Sequence, residues 1–337
     1  MNCIIKLISL PFIILAFATV ASATEAPYPI GKKELKSWQL TEVSYPESNP
    51  NQKTTEELGK QLFFDPRLTG DRTLSCAACH FPGTGWSDPL PKSTSEGSGM
   101  ARQAPTLINI SFQENFFWDG RSKTLEGAIE LHLKELSVMV GGIPSLPKAY
   151  QQKFQSAFDS PSINSTNIAK AVANFLRTIV VQDSDFDRWV AGDKSALSQS
   201  AKKGFLLFTG KAQCINCHKG PNFSDSKFHN IGLNTLDPGR FDVSGNPKDK
   251  NRFRTSALRQ VSHTAPYMHL GNKPDLMSVI EFYSRGGDRR DRNNELNELH
   301  LTEKEEQELL DFLMSLTGSS ASIFIPQLPA NDTPPSP

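Results

Sequence analysis

The chain has 337 residues, with 36 Lys and Arg against 36 Asp and Glu, so its formal net charge is zero. That length accommodates two domains of ordinary size. The balanced charge gives no reason to expect nucleic acid or an anionic membrane surface as a partner.

Lys6 opens a short basic region, residues 8–18 are mostly apolar, and Ala21-Ser22-Ala23 supplies an A-x-A cleavage pattern. Residues 1–23 therefore read as a secretory signal peptide, which implies export to the periplasm. The rival reading is an uncleaved anchor, but the apolar run is short for a bilayer span. No later segment is apolar enough to cross a membrane. Removal of the signal takes Cys3 and leaves four of the five cysteines. Residues 24–53, rich in proline and polar side chains, are expected to form an extended N-terminal arm over the surface.

Leu58-Gly59-Lys60-Gln61-Leu62-Phe63-Phe64 has the periodicity of an amphipathic helix and leads into Cys76-Ala77-Ala78-Cys79-His80. Lys203-Gly204-Phe205-Leu206-Leu207-Phe208 leads in the same way into Cys214-Ile215-Asn216-Cys217-His218. Both pentads read C-x-x-C-H, the attachment signature of c-type haem. The thiols add across the vinyl groups, and the adjacent histidine binds the iron axially. One such pentad is expected by chance on the order of one time in a thousand, and here there are two. A zinc ribbon needs its cysteine pairs much closer together, and neither zinc nor a disulfide accounts for a histidine after each second cysteine. All four remaining cysteines fall in the pentads, which leaves none for a structural disulfide.

A helix is expected over residues 125–136, where His132 shares a face with Leu125, Ile129 and Leu136. From periodicity alone, His132 is a hydrogen-bonded core histidine. Another helix is expected over residues 168–181, with Ser165 and Thr166 as candidate N-caps. Residues 182–200 are polar, although Phe186 and Trp189 suggest packing. The last helix, residues 302–316, starts at a Thr302/Glu305 capping box. Helix, haem loop, irregular stretch and closing helix thus occur twice. The expected fold is mainly α, with two cytochrome c-like domains over residues 54–190 and 191–318, each wrapping one covalently attached haem, and a flexible tail over 319–337.

Five further runs give the chain a specific resemblance: Gln103-Ala104-Pro105-Thr106-Leu107-Ile108-Asn109, Phe117-Trp118-Asp119-Gly120-Arg121, Gly239-Arg240-Phe241, Ser256-Ala257-Leu258-Arg259 and Thr264-Ala265-Pro266-Tyr267-Met268-His269. With the two pentads in order, the chain resembles the bacterial di-haem cytochrome c peroxidase and MauG family from about residue 54 to 318. The resemblance implies that the haem of His80 reacts with hydrogen peroxide, that the haem of His218 is a six-coordinate electron-transfer partner, and that Trp118 relays electrons between them.

Several positions depart from the peroxidase pattern. The switchable distal histidine is missing from residues 93–100, which implies a first haem open without prior reduction, as in MauG. The second axial ligand, methionine in peroxidases, falls on Tyr283, the MauG choice. The alternatives there are a core tyrosine, with Met268 or Met277 as ligand. The family's pocket glutamate and glutamine align with Val138 and Ala128, and His132 aligns with a pocket proline. His132 is then an acid/base group, an iron ligand or a core residue, with Glu135 and Glu130 as reserves. The family's interdomain calcium ion is implied at Gln103, Thr264 and Pro266, with Gln103 in place of asparagine. The resemblance leaves His269-Leu270-Gly271 without an explanation.

The expected function is an exported di-haem c-type peroxidase reducing hydrogen peroxide with electrons from a small redox protein. A MauG-like mode would instead oxidise a partner protein through a high-valent di-haem state. The alternative from another class is a non-catalytic di-haem electron carrier. The sequence names neither the donor nor the oligomeric state.

Overall fold

A computed structural model describes residues 32–68, 74–91, 102–140, 146–288, 293–319 and 324–332. The expected signal peptide and the histidine-free stretch 93–100 lie outside the described residues.

The fold is mainly helical. Among the described residues there are eleven α-helices: α1 Lys32–Lys36, α2 Lys53–Phe64, α3 Cys76–Cys79, α4 Leu125–Val140, α5 Ala149–Phe158, α6 Ser165–Leu176, α7 Asp185–Ala191, α8 Gln199–Thr209, α9 Phe241–Ser244, α10 Leu276–Ser284 and α11 Glu303–Met314. The two strands β1 Phe228–His229 and β2 Phe253–Arg254 pair antiparallel, Phe228 opposite Arg254.

Two apolar clusters organise these elements. In the first, α2 and α4 pack on α6 and α5 packs on α2 around Leu62, Phe63, Trp86, Phe154 and Phe175. In the second, α8 and α10 pack on α11 around Phe186, Phe205, Phe208, Phe223 and Phe312. The internal repeat explains the shared plan. Gly59 and Gly204 occupy matching places in the two runs, and a Cβ on either would fall inside the opposing helix, on the Ala171 and Glu308 carbonyls respectively. Glycine is there because the backbones touch. Alanine normally favours a helix interior over glycine, so a loss in Gly204→Ala would isolate the crossing. Overpacking costs about 1–3 kcal/mol, and Gly204→Ala is expected to lower the denaturation midpoint accordingly; a midpoint at or above wild type would show that α8 and α11 separate freely.

Several local expectations change. The arm is not wholly superficial: it carries α1, Trp38 is only 6 % exposed within the second cluster, and Asn49 hydrogen-bonds Glu126 and the Lys170 carbonyl of the first half. Helix α7 buries Phe186, Trp189 and Val190 in the second cluster, so the cores divide before α7 rather than at residue 190. The cap of α6 is Asn164, whose Oδ1 accepts the Asn167 N–H at 2.9 Å, while the Ser165 and Thr166 hydroxyls bond Glu130 instead. Within the expected flexible tail, Asn331 accepts from Arg67 at 2.7 Å and Asp332 accepts the Lys148 N–H at 2.9 Å, so the segment returns to the first half. The Thr302/Glu305 capping box is formed as expected.

Candidate functional site

The two pentads are built alike. Cys76 and Cys79 bound α3, and His80 follows as its C-cap. The His80 Nδ1 lies 3.2 Å from the Trp86 carbonyl oxygen. Cys214 and Cys217 flank a single 3₁₀ turn, and the His218 Nδ1 lies 2.9 Å from the Phe223 carbonyl oxygen. A carbonyl only accepts, so each ring carries a proton on Nδ1. Both carbonyls belong to bulky residues in the left-handed region, Trp86 at φ 58° and Phe223 at φ 52°. That conformation is costly for aromatic residues, and it turns each carbonyl back toward its histidine. Sequence reasoning missed these orienting residues. The signal was a Gly/Pro turn between each histidine and an aromatic five or six residues on: Phe81-Pro82-Gly83-Thr84-Gly85-Trp86 and Lys219-Gly220-Pro221-Asn222-Phe223.

Burial sets the protonation of these groups. It pushes the Cys76 and Cys214 thiols up to about 12. His80 is pulled down to about 4 by burial and by the charge of His132, and His218 is lowered chiefly by burial. At neutral pH Cys76, Cys79 and Cys214 are therefore thiols and both imidazoles are neutral, and all six pentad side chains are only partly covered by protein. This donor set fits a covalently attached haem with an axial nitrogen.

Each pentad has a chemically distinct group near it. Tyr283, on α10, has its phenol raised above the usual range by burial and then by Cys217 and Cys214, so it shares the second site with His218. Met277 lies six residues earlier on the same helix and projects about 120° away. At the first site, His132 on α4 is near enough to His80 for its charge to act there. It is not a core residue: its side chain is 44 % exposed, and its Nδ1 lies 3.8 Å from the Glu135 carboxylate. Glu135 also faces Arg121 at 3.3 Å, and the neighbouring His132 imidazole is the main reason its carboxyl is held low. Glu130 is engaged with Ser165 and Thr166. At the second site His229, also missed, has Nδ1 2.8 Å from Glu295 and Nε2 3.1 Å from Asp225; Cys217 first, then Glu295 and Asp225, hold its imidazole up at about 10 against the opposing effect of burial.

Trp118 joins the halves. Its Nε1 donates to the Gln103 carbonyl at 2.8 Å, its carbonyl accepts the Arg254 N–H at 2.8 Å, and its ring meets His269 edge-on at 6.2 Å. His269 stacks on Phe253 at 3.6 Å. Beside them, Arg102 spans Asp119 of the first half and Asp237 of the second, at 2.7 and 2.6 Å. The Gln103 amide nitrogen donates to the Asp88 carbonyl and the Thr264 hydroxyl to Val261. Gln103 N–H also bonds the His269 carbonyl, which ties its segment to the chain that follows the Thr264–Pro266 loop. Among the described residues, no group of three or more His, Cys, Asp or Glu is arranged to hold a metal ion.

A family model described as di-haem cytochrome c peroxidase matches residues 53–195. The chain is similar to the methylamine utilization protein MauG of Methylorubrum extorquens, at 35% identity over 93% of this chain and 92% of that one. It is also similar to the cytochrome c551 peroxidase of Nitrosomonas europaea, at 35% identity over 85% and 87%. Among solved structures, a MauG-like protein associated with microbial copper homeostasis superposes with a TM-score of 0.75 at 29% identity, covering 82% of this chain and 93% of that one.

Proposed function

Starting from a chain that belongs to the di-haem cytochrome c peroxidase and MauG family, we propose an exported di-haem peroxidase that reduces hydrogen peroxide with electrons from an external redox protein and is electronically set for the MauG-like mode. Two haems c supply the redox-active irons when attached, one open to peroxide and one for electron transfer. Cys76 and Cys79 hold the first and Cys214 and Cys217 the second, giving each helical half its own porphyrin. His80 and His218 present Nε2, and their Nδ1–H bonds to Trp86 and Phe223 fix the rings and raise their basicity as ligands. Trp118, bonded to both halves, carries electrons between the sites. His132 keeps Nδ1 toward Glu135, which leaves Nε2 to take a proton from peroxide and return it. Exposure to water and the Arg121-anchored Glu135 let that proton be replaced.

The observation that carries this reading is Tyr283 set against the cysteines of the second pentad while His132 faces His80. A phenol oxygen is a hard donor that favours oxidised iron, so the second site is suited to share oxidising equivalents rather than to wait reduced. Tyr283→Phe is expected to change the absorption and EPR spectrum of the second haem and raise its midpoint potential, with haem content unchanged. An unaltered spectrum would remove Tyr283 as a ligand. The same preparation tests the electron-carrier reading, because two low-spin irons that ignore added peroxide would support a carrier.

Export rests on residues 1–23, and among the described residues no helix is long and apolar enough to cross a membrane. A calcium ion at Gln103 and the Thr264–Pro266 loop would have to be held by amide and carbonyl oxygens. Exhaustive chelation is then expected to slow peroxide turnover, with recovery on adding calcium and none on adding magnesium.

A further inference from the structure

Among the described residues, Arg254 is a buried cation without an anion. It is 3 % exposed, and its Nε and Nη1 donate only to the Phe117 and Thr255 carbonyls, at 3.1 and 3.0 Å. The other buried arginines among the described residues meet carboxylates, Arg177 with Glu126 at 2.6 Å and Arg259 with Asp187 at 2.7 Å, as does the half-buried Arg102 with Asp237 at 2.6 Å. Burial alone pulls Arg254 down to about 10, with no neighbouring charge acting on it, so it remains cationic at neutral pH. A desolvated, unpaired guanidinium is among the more costly groups a fold can hold.

Two residues on, the buried Ser256 Oγ has no hydrogen-bond partner among the described residues. Both residues lie at the second site, since the Ser256 main chain hydrogen-bonds the His218 ring. A guanidinium lacking an anion and a hydroxyl lacking an acceptor would both be satisfied by one carboxylate.

We infer that Arg254 and Ser256 form the carboxylate pocket of the second site and bind a propionate of the haem held by His218. The inference rests on the two-haem reading above. Because Arg254 also hydrogen-bonds Trp118 and Phe117, the same residue ties the edge of that haem to the proposed relay. A cation there disfavours ferric iron, and by pairing with the propionate it keeps that group ionised, so the midpoint potential stays level with pH.

The test uses the haem-loaded protein, with haem counted by the pyridine haemochrome method. Fewer than two haems in wild type would overturn both readings. With two present, Arg254→Gln is expected to lower the second haem's midpoint at neutral pH. The midpoint should then rise as pH falls, because an unpaired propionate takes up a proton, whereas wild type and Arg254→Lys stay level. Ser256→Ala removes no hydrogen bond among the described residues and is expected to shift the propionate bending band in resonance Raman, which also covers the case in which Arg254→Gln does not accumulate. Added formate should leave the wild-type midpoint unchanged; a shift would mean the pocket takes free carboxylates instead. A level Arg254→Gln profile, or an unmoved band in Ser256→Ala, overturns the inference.

Discussion

His132→Gln is expected to slow peroxide consumption about 10²- to 10⁴-fold, the range lost when a positioned acid/base group is removed. Glutamine fills similar space and keeps a polar tip toward Glu135, but it cannot accept and return a proton. Two haems should still attach, since the thiols and Nδ1-anchored histidines lie on other elements, and the Tyr283 signature of the second haem should be unaltered. The outcome distinguishes the readings of this residue. If His132 instead binds iron and closes the first site, the variant opens that site, and peroxide reacts faster with a gain of high-spin signal. If His132 serves neither role, turnover stays within a few-fold of wild type, and the proton service passes to another group. The geometry favours acid/base service because Nδ1 is directed at Glu135 and the side chain is 44 % exposed, which keeps the proton path in contact with water.

What was legible in the sequence was chemistry confined to a few consecutive residues. The pentads, the helical runs before them and the Thr302/Glu305 capping box need only local spacing. The clearest misses involve partners far away in the chain. Asn164, Ser165 and Thr166 are all good caps, and the choice of Asn164 comes with the capture of the other two hydroxyls by Glu130, 35 and 36 positions distant. Trp38 looked like part of a loose arm, but it fills a gap among Phe186, Phe205 and Phe223 that exists only once the second half has folded. The tail is fixed by Arg67 and Lys148, which no periodicity connects to it. The orienting carbonyls of Trp86 and Phe223 escaped for another reason: any residue supplies a carbonyl, and only the positive φ aims it.

Arg102→Met is expected to destabilise the protein by about 3–5 kcal/mol, because removing one partner of a buried ion pair strands the other charge. Asp237 is fully buried and depends on Arg102, which meets both of its oxygens at 2.6 and 2.8 Å. Its other contact is the Gly239 N–H. Asp119 is less vulnerable because Arg121 also reaches it, at 3.1 Å. Adding Asp237→Asn to Arg102→Met removes the stranded charge and should recover part of the loss, measured as the urea midpoint. The same cluster sets an acid limit on the joint between the halves. Burial opposes ionisation of Asp237, but the hydrogen bonds from Arg102 outweigh it and hold the carboxyl below its ordinary range, so its contribution is present above about 3.9 and is lost as pH falls through the lowered value. His269 acts earlier in the titration. Burial pulls it down to about 4, against about 6.5 in an unfolded chain, so between those values the unfolded state binds a proton that the folded state refuses. Stability must therefore fall as pH drops from about 6.5 toward 4. His269→Gln, which cannot take up that proton, should flatten this part of the curve and leave the later fall from Asp237 in place. An unchanged slope in His269→Gln would assign the acid sensitivity to another buried group.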